Sequence, residues 1–166
     1  NIESTNDRRV YKRARKLIEN EQVSEALNLM EKHIPESDNK ARLHNYIAEL
    51  AYQFSDYAKA FHHYIQAVEI EPKNSVFRKN LADFHYFIRK DTHCALNIYT
   101  SLLSQNPEDT EILFTIGHIC ANLGKNEDAN IFFNRVLDLD PGHSEARLAL
   151  LNKPNSFHSN SLSHSQ

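Results

Sequence analysis

Ten histidines, two cysteines and 22 acidic residues supply ample ligating and proton-transfer groups, so their spacing decides what chemistry they can do. A helix-borne zinc pair needs histidines at i and i+4, on one face. No two histidines stand four apart, and the adjacent His62 and His63 point about 100° apart around a helix. His93-Cys94 and His118 with Cys120 also face different directions, so packing is the reading of these groups and no metal site is expected. His44 and His85 fall on faces that should meet a neighbouring helix. Cys94 and Cys120 suggest no disulfide framework and fit a reducing compartment, with a cytoplasmic location expected.

Two carboxylate pairs, Glu69 with Glu71 and Asp138 with Asp140, could in principle do acid–base work. They recur in register just before prolines, which makes them helix-end residues instead. No Gly-rich phosphate loop, G-x-S-x-G elbow or kinase signature is present. No catalytic residue, no cofactor and no enzymatic activity are therefore expected. The run Arg8, Arg9, Lys12, Arg13, Arg15 and Lys16 is read first as a solvated face compensated by Glu19, Glu21 and Glu25. Its functional reading is a dock for an acidic segment or anionic surface. Nucleic acid is disfavoured, because 19 basic against 22 acidic residues leave the chain at −3.

The elements that carry these residues repeat. Ala26, Ala60, Ala95 and Ala129 are spaced by 34, 35 and 34 residues. Met30, Tyr64, Tyr99 and Phe133 follow four residues later, and Pro72, Pro107 and Pro141 twelve after the last three. A fixed period in this range is the signature of stacked repeats. Ile47, Leu50, Ala51 and Phe54 make one face of an amphipathic helix, and Tyr57, Ala60, Phe61, Tyr64, Ile65 and Val68 make another after a break at Ser55-Asp56. Pro72 ends the pair, since it cannot donate into a continuing helix. Ala48, Ala82 and Gly117 recur on the first helices, where small side chains let two helices approach to about 8 Å.

This pattern resembles the tetratricopeptide repeat. It is clearest in Leu113, Ile116-Gly117, Cys120, Gly124, Ala129, Phe133, Val136 and Asp140-Pro141, and nearly as clear in Ile47-Ala48, Tyr57, Ala60, Tyr64, Ala67 and Pro72. The expected fold is all-α: a right-handed superhelical solenoid of about four αα-hairpins, 7–40, 41–74, 75–109 and 110–143, with a capping helix over 144–152. The third unit carries one extra residue, placed near Arg89–Thr92. Residues 1–6 are expected to be an extension and 153–166, rich in serine, a polar disordered tail. A first residue of Asn suggests an excised or processed segment. No apolar run approaches the roughly 18 residues needed to span a bilayer.

The resemblance implies function as well. In tetratricopeptide arrays the first helices line a concave groove, which maps here to Tyr11, Arg15, Asn45, Glu49, Tyr52, Lys79, Asp83, Tyr86, Phe114 and His118. Aromatics mixed with amides and both charge signs can grip a peptide through a few anchors. A subclass that clamps the C-terminal carboxylate of heat-shock chaperones has lysines where this chain has Tyr11 and Val76, so that specificity is disfavoured. The expected function is a non-enzymatic scaffold that binds a protein or peptide segment in the groove. The alternatives are a regulatory or targeting segment of a larger enzyme and a small secretion-type chaperone. Self-association through repeat faces also remains open.

Overall fold

The computed structural model describes residues 5–151. Residues 1–4 and the expected tail at 153–166 lie outside them. Among the described residues every long element is a helix: α1 (Thr5–Glu19), α2 (Val23–His33), α3 (Lys40–Gln53), α4 (Tyr57–Ile70), α5 (Ser75–Phe87), α6 (Thr92–Gln105), α7 (Thr110–Asn122), α8 (Asn126–Leu139) and α9 (Ser144–Leu151). The fold is an all-α helical-repeat solenoid. The chain divides after Leu102, within α6, into two compact units.

Local chemistry starts and stops the helices. Asn39, Asp56 and Asn74 each accept a hydrogen bond from a backbone N–H in the first turn of α3, α4 and α5, as Asp109 does for α7. Each turn between the two helices of a hairpin contains one residue in the left-handed region: Glu21, Ser55, Lys90 and Gly124. These follow the same spacing as the alanines. Just after them, the N–H groups of Gln22, Asp56 and Lys125 donate to the carbonyls of Leu17, Ala51 and Cys120, the six-to-one closure of a helix end. The turn between α5 and α6 is longer by one residue, and there the N–H of Asp91 reaches back to the carbonyl of His85 at 2.9 Å.

In the first unit the core is continuous from α1 to α5. Ala14, Ala26, Ala48, Ala51 and Ala60 have no exposed surface, and Met30, Leu43, Ile47, Tyr64, Leu81 and Phe84 fill the space around them. Small residues at the crossings let larger neighbours close the grooves. The base of α1 is tied by a buried polar contact. The Asp7 carboxylate lies 2.6 Å from His33 Nε2 and accepts from the Ser37 hydroxyl at 3.3 Å. In the second unit, α7 and α8 form a hairpin on which α9 packs, burying Ala146 while Leu148 and Leu151 stay exposed.

Candidate functional site

Of the expected groove residues, Asn45, Glu49 and Tyr52 stand on α3 and Lys79, Asp83 and Tyr86 on α5. Their backbones are held by the apolar faces beneath them, so the polar residues between those faces project together. Asn45 Nδ2 donates to Glu49 Oε1 at 2.8 Å, and Asn80 Nδ2 donates to Asn45 Oδ1 and to Glu49 Oε1, both at 3.0 Å. Lys79 Nζ pairs with Asp83 Oδ2 at 3.0 Å, and the Tyr99 hydroxyl donates to Asp83 Oδ1. Asn45 is buried, so it organises Glu49 and Asn80 more than it offers itself to a ligand.

Beside this network lies a hollow of about 250 Å³ lined by Tyr52, Tyr64, Asn80, Asp83, Phe84 and Phe87. Its floor is the Phe84 ring, which meets Tyr52, Tyr57 and Tyr64 and stacks on Phe61 at 5.5 Å. Burial, and then the nearby Glu49, Tyr52 and Asp83, push the Tyr64 phenol up from its ordinary value. It therefore stays protonated and can donate. With one lysine against Glu49 and Asp83, the charged groups around the hollow favour a ligand that brings N–H donors or a cation.

The other expected residues lie apart from that hollow. Tyr11 packs edge-on against Tyr46 at 5.3 Å, Arg15 is exposed on α1, and Tyr86 lies against Phe87 at 4.9 Å. Phe114 and His118 belong to the second unit, where their rings meet at 4.9 Å and Phe114 also contacts Phe133 and His143. Sequence reasoning passed over Asn80, Tyr64, Phe84 and Phe87. Asn80 follows Lys79 by one residue, so its position around the helix was the available signal. Tyr64 carried the repeat mark and was read as packing alone.

The histidines also sort by burial. His62 is exposed, whereas His63 and His44 are buried with their Nδ1 atoms 2.8 Å apart. His63 Nε2 lies 3.1 Å from Glu31 Oε1, which also takes the Lys59 ammonium at 2.5 Å. Burial lowers both histidines, helped at His44 by His63 and His62; Glu31 opposes it at His63, while His62 and Lys59 assist. His44 falls from 6.5 to about 4.

A histidine whose folded pKa is depressed takes up its proton more readily when unfolded, so its stabilising contribution is complete above about pH 6.5 and is lost on the way down to about pH 4. Between those limits the chain should lose on the order of 2 kcal/mol of stability. His44→Gln, which hydrogen-bonds without titrating, should flatten that limb in denaturant melts taken across the range. An unchanged limb would show that the pair does not carry it.

His93 and Cys94 face different directions, as their adjacent positions on a helix predict. His93 Nε2 is 3.2 Å from Asn97 Nδ2, while Cys94 converges with Asp91 and His85 at the α5–α6 turn.

Helical hairpins of this period, closed by matching turns and faced with amide, carboxylate and aromatic side chains, define an all-α repeat protein. The family model described as tetratricopeptide repeat matches residues 86–152. Anaphase-promoting complex subunit 3 of Dictyostelium discoideum is 31% identical over 88 residues, which is 53% of this chain but 9% of that protein. A tetratricopeptide repeat protein from Parabacteroides merdae superposes with a TM-score of 0.77 at 20% identity, over 86% of this chain and 57% of the other. The first tetratricopeptide domain of Spaghetti (RPAP3), solved bound to the HSP90 peptide SRMEEVD, gives 0.60 at 24% identity, over 68% of this chain and 88% of the other. The family-model match over 86–152, the Dictyostelium relative and these solved structures together support a tetratricopeptide repeat protein. The chain spans under a tenth of the length of its Dictyostelium relative. Among the described residues no helix is long and apolar enough to cross a membrane.

Proposed function

We propose that the chain is a non-enzymatic interaction scaffold that takes a peptide or protein segment on the polar and aromatic face of α3 and α5. Its repeats would be the hairpins 7–40, 41–74, 75–109 and 110–143, closed by 144–152. The observation that carries this is the hollow beside the Asn45–Glu49–Asn80 network. It offers apolar walls for one anchoring side chain, with an amide and carboxylates at its rim for the backbone around it. The peptide-bound Spaghetti domain supports a peptide as ligand, and the general use of this family as non-catalytic scaffolds supports the absence of an enzymatic role. Phe114 and His118 would contribute a separate contact in the second unit.

One observation favours a second reading. The Dictyostelium relative is far longer than the stretch it shares with this chain, so the scaffold could serve as the targeting or regulatory segment of a larger protein.

The test starts from a displayed random-peptide library selected on the full chain. Affinities of the enriched peptides are then measured by fluorescence polarisation. Tyr52→Ala, Lys79→Ala and Tyr86→Ala combined should weaken them by about 100-fold or more, because a few anchors carry most of the energy of such contacts. Helicity and melting temperature should hardly change, since Tyr52 is 40% exposed and the other two are half-buried. Peptides that bind the triple variant as tightly as the parent would refute the groove.

A further inference from the structure

One core position breaks the grammar of the repeat. The residue whose carbonyl closes the hairpin turn is Leu17 in the first hairpin, Ala51 in the second and Cys120 in the fourth. In the third it is His85. Its imidazole is largely buried, at 13% exposure, and lies edge-on against Phe61 at 5.6 Å. Among the described residues Nδ1 of His85 is buried without a hydrogen-bond partner. An orphaned polar atom of this kind is destabilising, and an aliphatic side chain at this position would incur no such cost.

The extra residue of this turn determines what that nitrogen faces. With Lys90 in the left-handed region and the N–H of Asp91 on the His85 carbonyl, the Asp91 carboxylate turns back over α5. Oδ1 of Asp91 accepts from the Cys94 backbone N–H at 3.0 Å, which caps α6, and Oδ2 stands 3.8 Å from His85 Nδ1. Cys94 is the second departure from the repeat, standing where the other hairpins carry Glu25, Lys59 and Asp128. The nitrogen, oxygen and sulfur all lie within 4.8 Å of one another.

We propose that His85, Asp91 and Cys94 form a zinc-binding site that clips the end of α5 to the start of α6. Imidazole, carboxylate and thiolate together suit zinc. Bond lengths of about 2.0–2.3 Å require donor atoms roughly 3.3–3.6 Å apart in a tetrahedron. The His85–Asp91 pair is near that spacing, and rotation of the short Cys94 side chain closes the rest. Three protein ligands leave the fourth position for water.

The outer contacts are in place as well. The cap bond holds Asp91 through the oxygen that the metal does not use, and Phe61 fixes the plane of the imidazole. Asp91 also pushes the Cys94 thiol up from its ordinary value, so zinc must displace that proton. Arg89, stacked over Phe61 at 4.3 Å, is a nearby cation that opposes the ion, and the two anionic ligands offset it.

The full chain, stripped of metal, is titrated with zinc against a chromophoric chelator and separately with cobalt as a spectroscopic stand-in. The parent should take up one equivalent and show the sulfur-to-cobalt charge-transfer band of a thiolate site. Cys94→Ser should abolish that band, and Cys94→Ser and His85→Gln should each weaken zinc binding about tenfold or more. Cys120→Ser should bind like the parent. Uptake by Cys94→Ser equal to the parent, or no uptake by the parent at all, would overturn the site. Circular dichroism of Cys94→Ser, a change of one atom at a half-exposed position, keeps the result separate from misfolding.

Discussion

Phe84→Ala is expected to destabilise the chain by about 3–5 kcal/mol, read as a lower urea midpoint with an unchanged slope. Phe84 is 3% exposed on α5, and its ring meets four aromatic side chains from α3 and α4. Deleting the ring removes its own burial and leaves a cavity bounded by Tyr52, Tyr57, Phe61 and Tyr64. Those rings are tied to separate helices, so they cannot collapse freely into the space. Phe87→Ala is the control. That side chain is 53% exposed three residues further along the same helix, and its loss should stay within about 0.5 kcal/mol. A loss below about 1 kcal/mol for Phe84→Ala would mean that the ring cluster is not packed as described.

In the second unit the largest effect should come from adding atoms. A Cβ at Gly117 would stand 2.7 Å from Cε1 and 2.9 Å from Cδ1 of Phe133, and 3.2 Å from Cβ of Phe132. Phe133 is 3% exposed and has no room to retreat. Gly117→Ala gains up to about 1 kcal/mol in helix propensity. Overpacking costs about 1–3 kcal/mol, so the clash should win and the variant should melt lower. Ala129→Leu, at a site 2% exposed on the facing helix, inserts more volume and should also cost about 1–3 kcal/mol. Thermal melts of the two variants check both values. A neutral result for both would show that α7 and α8 are not held at this close approach.

Much of this architecture could be read in the chain. The alanine ladder, the aromatics four residues on and the prolines twelve on are one-dimensional consequences of helices that must meet at a fixed crossing. The longer α5–α6 turn is legible too, because one insertion shifts every later marker by one. Asn45 and Glu49 share one face of α3 by periodicity alone, as Lys79 and Asp83 share one face of α5; the structure joins the first pair with Asn80 and pairs the second two with each other. Phe84 had no such signal. Its role comes from four rings that approach from α3 and α4, and no local spacing encodes that. His44 was legible as a packed residue, but its contact with His63 depends on how the two helices of a hairpin are rotated.

The sequence by itself determined the repeat, its period, the helix ends and the class of protein, because these follow from local hydrogen bonding and from apolar spacing along single helices. Tertiary structure alone decided which non-repeating side chains meet. It put a hollow beside the amides of α3 and α5, and it brought His85, Asp91 and Cys94 within reach of one another across a turn. The physical reason is that hydrogen bonding and periodicity act over a few residues. Convergence of side chains depends instead on rotation and close approach of whole helices, which the buried small residues fix only once the core has closed.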